Sequence, residues 1–134
     1  MNEKQQAMNR SVQEKYRPIL VVDDDHNLRQ TIQWVLEEEG FSVSSAADGQ
    51  EAVEQAMAQQ PGLVILDMGL PLLNGSEVAA QVHARYGAAV PIILITADGQ
   101  AEEKSRRVRA TSFLRKPFDI DDLVDAVQQA LARP

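Results

Sequence analysis

From Pro18 onward the hydrophobic positions follow two alternating patterns, unbroken apolar runs of strand length and stripes spaced three and four residues apart. This alternation predicts strands and helices wound into a parallel sheet. Ile19–Val22, Leu63–Leu66 and Val90–Ile95 are continuous apolar runs, as strands covered on both faces require. Phe41–Ser45 and Thr111–Leu114 mix polar with apolar residues, which suits edge strands with one side partly solvated. Pro91 cannot donate to a ladder and is expected at the start of its strand. With the first, third and fourth strands central, right-handed crossovers give the order 2-1-3-4-5.

The stripes supply the helices for both faces of this doubly wound five-stranded α/β sheet, a flavodoxin-like arrangement. Leu28, Thr31, Ile32, Val35 and Leu36 form one stripe, and Gly40 supplies its left-handed stop. Asp48 with Glu51 and Asn74 with Glu77 read as capping boxes opening two more helices. Ile120, Leu123, Val124, Val127 and Leu131 form the last stripe, with Asp119 as its expected N-cap. The fourth helix is the outlier: between Gly99 and Arg109 only Ala101 and Val108 are apolar, which predicts a short or mobile segment. Trp34 lies off the first stripe and is expected to pack on its flank or under the N-terminal arm. Residues 1–15 form a polar extension, and 16–134 a single domain.

Composition removes several functions. The 134-residue chain has no cysteine, so disulfides, thiolate metal clusters and a cysteine nucleophile are excluded. A net charge of -7 and 4% aromatic residues disfavour direct nucleic-acid binding. The longest apolar stretch, Ala88–Ile95, contains Pro91 and falls far short of the ~20 residues needed to cross a bilayer. The N-terminus has no signal-peptide core, so no membrane association and a cytoplasmic location are expected.

The chemistry lies at the carboxyl ends of the strands, where open parallel sheets bind ligands beside the point at which strand order reverses. Asp23, Asp24 and Asp25 follow the first strand, Asp67 the third, Thr96 closes the fourth, and Lys116 follows the fifth. Carboxylates gathered so closely repel one another, and keeping them ionised calls for a hard divalent cation such as Mg2+. Taken singly, each residue has an ordinary explanation. Asp25, and with it Asp24, suits a helix cap, Asp67 suits a turn, Thr96 is a common strand residue, and Lys116 alone is a solvated charge. Their convergence favours function. No P-loop, dinucleotide fingerprint or EF-hand is present, and Gly69 stands where a phosphatase Asp-x-Asp pair needs its second acid. His26 and His83 fall at a helix start and within a helix.

These residues sit in motifs that resemble the receiver domain of two-component response regulators: Val-Val-Asp-Asp at 21–24, Asp-Met-Gly-Leu-Pro-Leu-Leu-Asn-Gly at 67–75, Ile-Thr-Ala at 95–97 and Phe-Leu-Arg-Lys-Pro-Phe at 113–118. The resemblance runs from about Pro18 to Leu131. It implies that Asp67 is the phosphoacceptor, Asp24 a direct Mg2+ ligand, Asp23 an acid holding the ion largely through water, and Gly69 a ligand through its backbone carbonyl. It further implies that Thr96 bonds a phosphoryl oxygen, that Lys116 pairs with Asp67 and then the phosphoryl group, that Phe113 turns inward behind Thr96 as the switch, and that the Lys116–Pro117 bond is cis. The implied partners are a sensor histidine kinase or histidine phosphotransfer protein and a downstream output protein or output domain, with a phosphorylation-dependent homodimer as one form of output. The alternative is a phosphorylation-independent receiver-like interaction module. A metal-dependent phosphohydrolase shares the acids but lacks a second nucleophile partner.

The chain departs from the family pattern in three places: Thr96 and Lys116 stand closer than the family spacing, Arg109–Ala110 replaces the usual Gly-Ala, and Phe113 lacks a phenol hydroxyl. Gly69 and Asp98, at positions that flank the phosphoryl group in the family, are expected to set the lifetime of the phosphorylated form. Residues 102–116 carry six bases against two acids, a net +4 that leaves -11 for the remainder. This stretch reads either as a solvated helix face or as a surface for an acidic partner or self-association. No output region follows within the sequence, which suits either a stand-alone receiver or part of a longer regulator.

Overall fold

The computed structural model describes residues 17–70, 74–97 and 99–132. The polar extension 1–15 and Asp98 therefore lie outside the described residues. In chain order the elements are β1 (Ile19–Val22), α1 (His26–Glu38), β2 (Val43–Ala46), α2 (Gly49–Ala58), β3 (Leu63–Asp67), α3 (Gly75–Tyr86), a 3-10 turn (Gly87–Ala89), β4 (Ile92–Thr96), α4 (Ala101–Arg107), β5 (Ser112–Arg115) and α5 (Ile120–Leu131). The strands are parallel in the order β2-β1-β3-β4-β5, as the mixture of unbroken and broken apolar runs predicts.

Strand alternation divides the core in two. Leu20, Val22, Val64, Leu66, Ile92 and Leu94 face α2 and α3, meeting Ala52, Ala56, Val78, Ala79 and Val82. Ile19, Val21, Leu63, Ile65, Ile93 and Ile95 meet Ile32 and Leu36 of α1 and Leu123, Val127 and Ala130 of α5. Each large aliphatic side chain buried here contributes about 1.5–3 kcal/mol, enough to hold the strand ends at fixed positions.

Local chemistry sets the boundaries. Asp25 caps α1 through bonds from Asn27 and Leu28 N–H. Asp48 and Asn74 accept from the N–H groups of Glu51 and Glu77, the forward half of each predicted capping box, while the Glu51 carboxylate accepts from the Ala47 amide and that of Glu77 from the Asn74 side chain in place of the cap N–H. Asp119 occupies the N-cap position of α5, but its side chain makes no cap bond, so that helix start rests on its apolar stripe. Gly40, at φ 94°, ends α1. The Gly40 and Phe41 amides return to the Glu37 and Leu36 carbonyls, a Schellman turn. This turn absorbs Phe41, so β2 starts at Val43 and not at Phe41 as its pattern suggests. β4 likewise begins after Pro91. Trp34, expected on the helix flank or under the N-terminal arm, is 64% exposed among the described residues because the α1 stripe turns its other side to the sheet, and the arm lies outside the described residues. The segment predicted to be short, α4, has seven residues.

Candidate functional site

Strand register builds the site. Val22 is paired with Leu66, so Asp23 and Asp67 are the next residues out on adjacent strands. Asp67 is paired with Ile95, which places Thr96 one step further, and Thr96 is paired with Arg115, which brings Lys116 to the same rim. The Lys116 amide extends this ladder by donating to the Thr96 carbonyl at 2.9 Å. Alternation places Asp67 on the side of Ile65, facing α1 and α5, and Thr96 on the side of Leu94.

Within this frame the Lys116 ammonium lies 3.0 Å from Asp23 Oδ2 and 3.3 Å from Asp67 Oδ2. Asp23 is wholly buried, Asp67 and Thr96 nearly so, and Asp24 is exposed. Asp23 Oδ1 accepts the Asp25 amide at 2.9 Å, and Asp67 Oδ1 accepts the Gly69 amide at 3.0 Å. Burial pushes the Asp23 carboxyl above the ordinary aspartate range. The Asp25 amide and Lys116 oppose that shift, and the neighbouring charge of Asp67 adds to it. For Lys116 burial acts to lower the value, but the Asp23 contact and the charges of Asp67 and Asp23 outweigh it, so the ammonium is held above its usual range. The result is a cation locked between two carboxylates, Asp23 buried and Asp67 nearly so.

The residues fit a hard divalent ion. Asp23, Asp24 and Asp67 each offer a carboxylate oxygen, all within 4.8 Å of one another. Asp23 Oδ2 is buried without an aligned hydrogen bond, its contact with Lys116 being an ion pair only. An unfilled buried lone pair beside two further carboxylates suits Mg2+, which takes one or two carboxylates and keeps several waters. Gly69 is exposed beside Asp67, and a Cβ added there would lie 3.8 Å from Asp67 Oδ1.

Phe113 is half-buried opposite Leu94 and packs on the α2–α3 side of the core, the side that Thr96 also faces. Lys116–Pro117 is cis, as the resemblance implies. His83 stands away from this rim, with Nε2 2.9 Å from the Val108 carbonyl.

Two contributors stand outside the rim residues that the sequence singles out. At Gly75 an added Cβ would lie 2.9 Å from Met68 Cα and 3.0 Å from the Asp67 carbonyl oxygen, so α3 begins in backbone contact with the Asp67 loop. Arg29 donates to the Asp23 carbonyl at 2.7 Å. Its signal in the sequence was a base near the start of a helix, where the dipole disfavours positive charge.

A family model described as the response regulator receiver domain matches residues 19–128. Among curated proteins the chain is similar to the transcriptional regulatory protein PdtaR of Mycobacterium tuberculosis, 38% identical over 120 residues that cover 87% of this chain and 58% of the relative. Among solved structures it resembles the Vibrio cholerae chemotaxis protein CheY4, at TM-score 0.79 and 31% identity over 87% of this chain and 99% of that one. It also resembles the Thermotoga maritima response regulator TrrA, solved in complex with Mg(2+)-BeF, at TM-score 0.77 and 33% identity over 86% of this chain and 99% of that one. The chain spans little more than half the length of the curated relatives it matches.

Proposed function

The chain belongs to the response regulator receiver domain family, whose role is phosphorylation-based signalling, and from that premise we propose that Asp67 accepts a phosphoryl group and switches the α4–β5 surface. The donor is a phosphohistidine on a sensor kinase or phosphotransfer protein. The observation that carries this reading is the convergence on one rim of Asp23, Asp24, Asp67 and a Lys116 ammonium in contact with two of them.

An Asp67 carboxylate oxygen attacks phosphorus in line, forming the P–O bond as the P–N bond breaks. The donor ring, protonated on its other nitrogen, leaves with that electron pair as neutral imidazole. Asp23, Asp24, Asp67 and the Gly69 carbonyl would hold Mg2+, which when bound supplies positive charge against the phosphoryl oxygens. Lys116, already beside Asp67, exchanges its carboxylate partner for a phosphoryl oxygen. Thr96 donates its hydroxyl to another, and Phe113 turns into the space behind it. Chemistry at the domain itself is confined to self-phosphorylation from small donors and self-dephosphorylation.

Arg106, Arg107, Arg109 and Arg115 are exposed along α4 and β5, a basic face that suits an acidic output partner, output domain or second copy, while the net charge of -7 disfavours direct contact with nucleic acid. No helix among the described residues is long and apolar enough to cross a membrane, in keeping with a cytoplasmic switch.

Incubation with acetyl phosphate, followed by intact-mass measurement, tests the reading. Gain of one phosphoryl group in the presence of Mg2+, lost on chelation, is expected. No gain would favour the phosphorylation-independent docking module.

A further inference from the structure

Asp24 carries the least local support of the three acids. Its side chain is exposed, and among the described residues no hydrogen bond or ion pair holds it, whereas Asp23 is tied to Asp25 and Lys116 and Asp67 to Gly69 and Lys116. The direction of the Asp24 carboxylate is therefore set by its backbone, beginning with the plane of the Asp23–Asp24 peptide. The amide of Asp23 donates to the Ala46 carbonyl at 3.2 Å, which fixes the chain on the β2 side. The Asp23 carbonyl, the other end of the residue, has left the sheet and accepts from Arg29 Nη1 at 2.7 Å. Arg29 is braced in turn, its Nη2 lying 3.2 Å from His26 Nδ1.

We propose that Arg29 is a positioning residue for the acidic site: by holding the Asp23 carbonyl it fixes the peptide plane that aims Asp24 at the cation shared with Asp23 and Asp67. The inference rests on the reading of those three acids as the Mg2+ ligands. A cation near a divalent-ion site is electrostatically unfavourable, so its presence there calls for a compensating role. The charge-assisted hydrogen bond to a strand-end carbonyl supplies one. The two effects also oppose each other in sign: loss of positioning weakens Mg2+ binding, whereas loss of repulsion strengthens it.

The experiment is direct calorimetric titration of Mg2+ into the wild type, Arg29→Ala and Arg29→Lys, with thermal unfolding of each and acetyl phosphate uptake at saturating Mg2+. Removing a residue that orients a metal ligand costs about 10- to 100-fold in affinity. Arg29→Ala is accordingly expected to weaken Mg2+ binding about tenfold. Arg29→Lys, which keeps a charged donor, is expected to recover most of the loss. Unfolding temperatures should stay near that of the wild type, and uptake at saturating Mg2+ should return close to the wild-type rate. Unchanged or tighter binding by Arg29→Ala, or a loss that lysine does not restore, would overturn the proposal. A wild type that binds Mg2+ with the expected variant pattern but takes up no phosphoryl group would refute Asp67 as phosphoacceptor and leave the role of Arg29 standing. A wild type that binds no Mg2+ would refute both.

Discussion

Helices α1 and α4 end in the same turn, built from different residues. In α1 the amides of Gly40 and Phe41 return to the Glu37 and Leu36 carbonyls, and in α4 those of Arg109 and Ala110 return to Arg106 and Ser105. The turn needs a left-handed residue, which is Gly40 at φ 94° in one helix and Arg109 at φ 58° in the other. A side chain in that conformation costs on the order of 1 kcal/mol. The starts differ as well: Asp25 caps α1, while no side chain caps α4. The 13 residues of α1 bury Ile32 and Leu36. In the seven residues of α4 the buried positions are Ala101 and Ser105, followed by Val108 just past its end. The His83 contact with the Val108 carbonyl adds to that turn at the far end. The helix beside the acids is thus capped at its start and buries two large side chains, whereas α4, on the proposed output side, buries smaller ones and closes on a left-handed arginine, the distribution expected of a domain that fixes a charge site and moves a surface.

The largest effect should come from the core beneath α1. Leu36→Ala is expected to cost about 2–5 kcal/mol in urea unfolding, and Val108→Ala, a smaller deletion under α4, roughly 1 kcal/mol. Equal losses would remove the asymmetry. Next, Gly75→Ala should leave the fold intact but displace the Asp67 loop, slowing uptake from acetyl phosphate roughly 10- to 100-fold. Exchanging the turn residues sharpens the contrast directly. Gly40→Ala should destabilise by about 1 kcal/mol or more, whereas Arg109→Gly should stabilise by roughly 0.5–1 kcal/mol. A destabilising Arg109→Gly would show that the arginine side chain earns its place by contacts. Smallest of all, Glu103→Gln breaks the exposed 3.1 Å pair with Arg107 on α4 and should change stability by no more than about 0.5 kcal/mol.

The pattern of hydrophobicity carried most of the frame, because Ile19–Val22, Leu63–Leu66 and the run after Pro91 are covered on both faces and so show no polar interruption. It also carried the rim acids, since strand order brings the positions after Val22 and Leu66 together. Phe41 was misleading because a hydrophobic residue after a glycine stop serves the helix end and the strand start equally well. Asp119 has the right identity and position for a cap, and only its side-chain direction shows that it makes no cap bond. Trp34 looked like a residue in need of cover, whereas its exposure follows from the side of α1 it occupies. Arg29 and Gly75 stayed hidden for a shared reason: each acts through a backbone atom of the site, the Asp23 carbonyl and the Asp67–Met68 backbone, and backbone contacts leave no residue-type signature in the partner.

The most direct measurement locates the phosphoryl group. After incubation with acetyl phosphate and Mg2+, borohydride reduction converts an aspartyl phosphate to homoserine, which peptide mass mapping assigns to a position. Homoserine at residue 67, absent from Asp67→Asn treated in parallel, is the expected result. A label at another residue, or one that persists in Asp67→Asn, would contradict the assignment of Asp67.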